Sequence, residues 1–217
     1  MKKIAGVLMI IATILFAIGV YVGMSLPPSP EPTLRNNYRI IFFHLPSAIT
    51  SYIAFTVMLV ASILFLLKRD RKWDIIASSS AKAGFFLITA ALISGSIWAK
   101  VAWGSYWNWD PRETTVLILW FAYAAYFALR ASIDDPEERA KFSSIFAIFA
   151  YVTVPLSYIS TRIFFSLHPS TAQIGLRIGM PLGLVITSFI LMYVAFMILD
   201  TTISKLSDYS VDSSYRE

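Results

Sequence analysis

The sequence predicts an all-α, polytopic integral membrane protein of six transmembrane helices with both termini in the cytosol. Three observations carry this. The chain of 217 residues is 57% hydrophobic and 14% charged, with a mean hydropathy of +0.67, too apolar for a globule surrounded by water. Its apolar residues gather into six runs, near 4–25, 39–67, 80–102, 114–130, 144–165 and 178–199. Each is long enough, or nearly so, to cross a hydrocarbon layer of about 30 Å, which takes roughly 20 helical residues. Finally, the basic residues divide unevenly between the two sets of loops.

The runs must be helices, because hydrocarbon leaves the backbone no other partner than itself. The first follows Lys2 and Lys3 but has too long an apolar stretch for a cleaved signal, and "SLPPSPEP" offers no small-residue cleavage site. The second ends in "KRDRK" at 68–72. The fourth is short, and either continues past Arg130 or lies in thinned bilayer. In the fifth, Pro155 removes a backbone bond and is expected to bend the helix, steering the segment from Arg162 to His168. Residues 200–217 are polar and read as a solvated cytosolic tail. The whole of 1–217 is one membrane domain.

With the N-terminus inside, Lys2, Lys3, Lys68, Arg69, Arg71, Lys72, Lys82, Arg130, Arg139, Lys141, Lys205 and Arg216 lie inside. Arg35, Arg39, Lys100, Arg112, Arg162 and Arg177 lie outside. Twelve against six fixes the orientation. The net charge of +5 therefore reports topology and not a nucleic-acid surface. The chain has no cysteine, which excludes disulfides and thiolate metal sites.

The chemistry concentrates at one boundary. The loop 103–115, "WGSYWNWDPRETT", falls on the outer side, and with Trp98 it holds four of the six tryptophans within twelve residues. The only two histidines meet the same boundary: His44 near the outer start of the second run and His168 just beyond the outer end of the fifth. An aromatic belt accounts for isolated interfacial Trp and Tyr, but not readily for this density around Asp110 and Arg112. Two imidazoles can supply both axial bonds of a haem iron. Trp103, Trp107 and Trp109, with Tyr106, offer flat surface to the macrocycle. Arg112 and Arg162 are the candidates for its propionates. Asp110 is expected to hold Arg112 or to cap the helix that follows, since Pro111 keeps it out of helical conformation. Zinc would find acceptable ligands in His44, His168 and Asp110, but has no use for the tryptophans.

"WGSYWNWDPRET" resembles the tryptophan-rich WWD signature, W-G-x-x-W-x-W-D-x-R/K-x-T, of the haem-handling proteins of cytochrome c maturation. Trp103, Gly104, Trp107, Trp109, Asp110, Arg112 and Thr114 fall on the pattern. "YRIIFFHLPSA" is similar to the first histidine segment of the six-helix CcmC branch and "SLHPS" to its second, which gives His44 and His168 the ligand positions. "WAKVAWGSYWNWDPRET" is worded more like the CcsA (ResC) branch, whose members have more helices and further membrane histidines. The resemblance spans residues 36 to about 200. It implies a non-enzymatic protein of the cell membrane that holds non-covalent haem b on its extracytoplasmic face and delivers it to a CcmE-type haem chaperone. The implied companions are ATP-binding-cassette subunits and a small helical subunit of the CcmD type. The alternatives are haem delivery of the CcsA type or a bis-histidine electron-transfer subunit. With both histidines at one face, a transmembrane electron path through this chain has no second centre.

Overall fold

The computed structural model describes residues 2–32, 34–168 and 176–214, without the side chains of 207–214. Its helices are α1 (Lys2–Ser25), α2 (Ile41–Lys68), α3 (Arg71–Trp103), α4 (Pro111–Ala131), α5 (Pro136–Ala150), α6 (Thr153–Ile163) and α7 (Leu176–Ser214), with a short 3-10 turn over Asn37–Ile40 leading into α2. Six stretches are long and apolar enough to span a membrane, α5 and α6 together forming one of them. An even number of crossings returns the chain to the side on which it starts. The α1–α2, α3–α4 and α6–α7 connections therefore share one face of the bundle, called here the site face.

Local chemistry explains where the helices differ from the apolar runs. α3 begins at Arg71, nine residues before the expected start at 80, because Asp70 caps it by accepting the Lys72 N–H at 3.0 Å. α4 ends one residue after Arg130. That arginine does not reach for the surface; its guanidinium grips the buried Asp74 of α3 with two bonds of 2.7 and 2.8 Å. The paired fork, with Arg71 Nη1 also 3.2 Å from Oδ2, supplies the buried carboxylate with hydrogen bonds and opposite charge.

The fifth run begins earlier than 144, at Pro136, where Asp135 caps the helix by accepting the Glu137 and Glu138 N–H groups. It is then interrupted at Tyr151 and Val152, separating α5 from α6. Pro155 lacks the N–H that would reach the Tyr151 carbonyl, and the Val154 N–H takes that oxygen instead at 2.9 Å. The expected bend is thus a break placed one turn before the proline. The last helix outruns its apolar run. α7 remains helical to Ser214, well past the apolar limit at 199.

Small residues set the helix contacts. α1 lies against α7 and buries Ala5, Ala12, Gly19 and Gly23, spaced so that they return to one side of the helix. A Cβ on Gly19 would stand 2.7 Å from Val185, and one on Gly23 2.6 Å from the Phe42 ring. In the centre, Gly84 of α3 makes room for Phe55 of α2 in the same way. Phe55 in turn stacks on Tyr123 of α4, ring centroids 3.6 Å apart. Without water to drive association, such close contact is what holds membrane helices together. The tight α2–α3 pair matters most here, since each carries part of the site.

Candidate haem site at the loop face

α3 stops at Trp103 because Gly104 turns the chain with φ +83° and returns its N–H to the Lys100 carbonyl at 3.1 Å. The loop is then tied to itself. Ser96 Oγ donates to the Tyr106 carbonyl at 2.8 Å and Ser105 Oγ to the Trp107 carbonyl at 2.9 Å. Trp109 takes a left-handed φ of +56°, which aims Asp110 inward. Asp110 caps α4 by accepting the Arg112 N–H at 2.9 Å, with Pro111 as the first helical residue. Glu113 reaches back to accept the Asn108 N–H at 2.8 Å, a reciprocal arrangement like a capping box.

Capping is only part of what Asp110 does. It is 4% exposed, and both its oxygens are fully used. Oδ1 accepts the His168 Nδ1–H at 2.8 Å besides the Arg112 N–H. Oδ2 accepts the Ser166 hydroxyl at 2.7 Å and the Leu167 N–H at 2.6 Å. Burial alone would raise its pKa, but these hydrogen bonds outweigh burial and hold the carboxyl below its ordinary range. Of the two roles expected for Asp110, the cap is met and the hold on the Arg112 side chain is not. Only the Arg112 backbone is bonded to it; the side chain it holds is His168.

His168 is consequently oriented. Burial keeps its pKa below the ordinary value, Asp110 offsetting this only in part, so the ring is neutral near pH 7. With the proton on Nδ1 and directed at Asp110, Nε2 keeps a free lone pair. The Trp103 ring meets the imidazole edge to face, centroids 4.7 Å apart.

His44 is held differently to the same end. Its Nδ1 lies 3.0 Å from the Ala91 carbonyl and 3.2 Å from Ser94 Oγ, both on α3. A carbonyl can only accept, so Nδ1 carries the proton and Nε2 is again the free nitrogen. Gly95 is what permits the approach: a Cβ there would stand 2.9 Å from His44 Cε1. Trp98 meets the ring edge-on at 6.0 Å. His44 lies within electrostatic reach of both His168 and Arg112.

The remaining sequence candidates divide. Trp107 and Trp109 contact each other at right angles, centroids 5.8 Å apart. Trp109 is 73% and Tyr106 58% exposed, so these two rings are free to meet something outside the bundle. Arg112 Nη2 donates to the Tyr158 carbonyl at 3.2 Å and to Thr161 Oγ1 at 3.3 Å, tying α4 to α6. Arg162 is exposed and folds back over the Tyr158 ring at 5.3 Å, so it is not drawn to the loop. Among the described residues no three His, Asp or Glu side chains gather as a metal cluster; Asp110 is already spent on His168. A site of two imidazoles, both with Nε2 unprotonated and both flanked by tryptophan, fits a haem iron and not a zinc ion. Ala91, Ser94, Gly95 and Ser166 were missed in the sequence. The only trace of the α3 set is "ISGSIW", small polar residues inside an otherwise apolar helix.

The fold defines a six-span membrane protein whose two histidines lie at the start of α2 and beyond the end of α6. Compared with known proteins, residues 1–211 match the family model for CcmC, "Heme exporter protein C". The chain belongs to that family. It is 33% identical over 201 residues to the ccmC-like mitochondrial protein of cytochrome c biosynthesis from Marchantia polymorpha, covering 90% of this chain and 85% of the relative. It is 29% identical to the "Heme exporter protein C" of Paracoccus denitrificans over 75% of this chain and 71% of that one. For the protein of the same name from Haemophilus influenzae the identity is 27%, over 88% and 80%. Membership in CcmC separates the chain from the CcsA branch whose wording its loop shares.

Proposed function

We propose that this protein binds one non-covalent haem b between His44 and His168 on the extracytoplasmic face of the cell membrane and delivers it to a CcmE-type haem chaperone in cytochrome c maturation. The observation that carries the reading is the matched state of the two histidines. Each has Nδ1 fixed by an acceptor and Nε2 left for a metal. Haem supplies the iron chemistry; the chain holds and presents it. Asp110 fixes the His168 ring, Ala91 and Ser94 fix His44, and Trp103 and Trp98 pack against the imidazoles. Trp107, Trp109 and Tyr106 form the outward surface on which the haem edge is offered to the chaperone. Arg112, through α6, sets where the segment leading to His168 emerges, and Arg162 stands at the end of that helix as a cation for the propionates. No step requires covalent catalysis. The twelve-to-six division of basic residues supports the outward placement of the site face. The family supports ATP-binding-cassette subunits and a small CcmD-type helix as companions.

Loading of purified chaperone by haem-charged protein tests delivery; transfer of haem is the expected result, and a haem-charged protein that keeps its haem in the presence of the chaperone would end the proposal. Orientation is tested by single cysteines at the exposed Ser105 and Ser132, against a background with no native cysteine. The first should label from outside and the second only after permeabilisation.

A further inference from the structure

A cleft of about 310 Å³ opens at the site face between the end of α1, the 3-10 turn and α3. Asn36, Asn37 and Arg39 line it on one side, Ile97 and Trp98 on another, and Met24 at the rim. Arg39 is its charged group. Arg39 Nη2 is anchored on the Leu26 carbonyl at 2.6 Å, and the guanidinium lies 5.9 Å from the Tyr38 ring. Among the described residues no carboxylate pairs with it. Arg39 Nε and Trp98 Nε1 are both buried donors without a partner. A partly buried guanidinium with unused donors and no counter-ion is costly to maintain, and the group that relieves it is an anion. Arg112 also has a buried Nε without a partner, but its Nη2 is committed to two acceptors on α6 and it does not line this cleft. The other wall is apolar: Met24 and Ile97 are both exposed.

We propose that this cleft is an anion subsite, taking one acidic group, a carboxylate or a phosphate, from an amphiphile whose apolar body lies against Met24, Ile97 and Trp98. Two amphiphiles present such a group at a membrane surface: haem, through a propionate, and a phospholipid. Trp98 links the cleft to the site already described, since its ring also meets His44. An anion held here is therefore one side chain from an iron ligand. The haem source rests on the proposed function; the phospholipid source does not.

Arg39→Gln keeps a donor for the Leu26 carbonyl and removes the charge; Arg39→Lys keeps the charge without the fork. Both are reconstituted in nanodiscs of phosphatidylcholine with phosphatidylglycerol, and two quantities are read: release of haem against release of haem dimethyl ester, and phospholipid retained by native mass spectrometry. If a propionate is the anion, Arg39→Gln releases haem about tenfold faster, as expected for one charge-assisted hydrogen bond, leaves the dimethyl ester unchanged, and is partly rescued by Arg39→Lys. If a phosphate is the anion, both haem rates stay as in the wild type and the retained phospholipid is lost. Unchanged haem rates with unchanged lipid overturn the subsite. So does equal acceleration of haem and its ester with lipid retained, which marks a packing role. Should Arg39→Gln fail to fold, Asn37→Leu removes a cleft donor while leaving the Arg39–Leu26 bond, and the same readings decide. Failure of the haem reading itself shows separately, as a wild-type protein that takes up no haem while the phospholipid measurement still stands.

Discussion

Asp110 and His168, 58 residues apart in sequence, are joined by a 2.8 Å hydrogen bond from Nδ1 to Oδ1. With the bonds from Ser166 and Leu167 to Oδ2, this contact ties the tryptophan-rich loop to the segment after α6, and it fixes which imidazole nitrogen is left free. Its energetic quality comes from the state of both partners: an ionised carboxylate saturated with donors and a neutral ring.

Asp110→Asn isolates that role. Asparagine is as good a helix cap as aspartate, so α4 stays intact while the anionic acceptor is lost. Haem affinity should fall about 10–100-fold, the usual effect of removing a carboxylate behind a ligating histidine. Asp110→Ala should also lose about 1 kcal/mol of stability through the cap. Haem titration and thermal melting of both variants check this; wild-type affinity in Asp110→Asn would show that the carboxylate only caps.

Gly95→Ala separates stability from haem binding. Alanine in a helix interior gains about 0.5–1 kcal/mol over glycine, yet its Cβ would press on His44 Cε1 at 2.9 Å. The variant should therefore melt no lower than the wild type while binding haem more weakly and with an altered low-spin spectrum. An unchanged spectrum would mean that the His44 ring is not set by α3.

Arg112→Ala should loosen α6 from α4, since the guanidinium is bonded to the Tyr158 carbonyl and Thr161 Oγ1. A loss of about 1–3 kcal/mol is expected for hydrogen bonds from a charged donor. Arg112→Lys should rescue in part, as a point charge cannot reach both acceptors. Faster proteolysis or hydrogen exchange over residues 153–163 would register the loosening; unchanged protection there contradicts it.

Acidification should destabilise the haem-free protein through His168. Its folded pKa is lowered from 6.5 by burial, so the unfolded chain takes up the proton first. The contribution is present above pH 6.5 and is lost as pH falls through the folded value. Asp110 is also lowered, from 3.8, and its contribution lasts to more acidic pH. Melting curves from about pH 7.5 to about pH 5 should therefore slope less in His168→Gln than in the wild type. Equal slopes would contradict a buried, neutral His168.

The six spans were legible because hydrocarbon imposes the same demand on every stretch that crosses it, and composition alone answers that demand. The two histidines proposed as ligands stood out because histidine occurs only twice and both copies meet one boundary. Partnerships across helices were not. Arg130 looks like a helix end until Asp74, 56 residues away, is seen beneath it. Asp110 has a neighbouring arginine in sequence and a distant histidine in space; spacing favours the first, whereas the left-handed Trp109 and the path of α6 select the second. Gly95 and Ser94 acquire a role only from the depth at which α2 packs on α3. Polarity marked residues 200–217 as a solvated tail but left its conformation open; α7 continues through it to Ser214, because solvated residues can extend a helix already nucleated in the membrane.

The most direct measurement is the absorption spectrum of haem-loaded wild type beside His44→Ala and His168→Ala. With both imidazoles bound, the wild type should show a low-spin, six-coordinate spectrum. Each variant should lose it, and added imidazole should restore it by filling the vacant axial position. A six-coordinate bis-histidine spectrum that persists in both variants would contradict the assignment, since this chain has no third histidine to supply the bond.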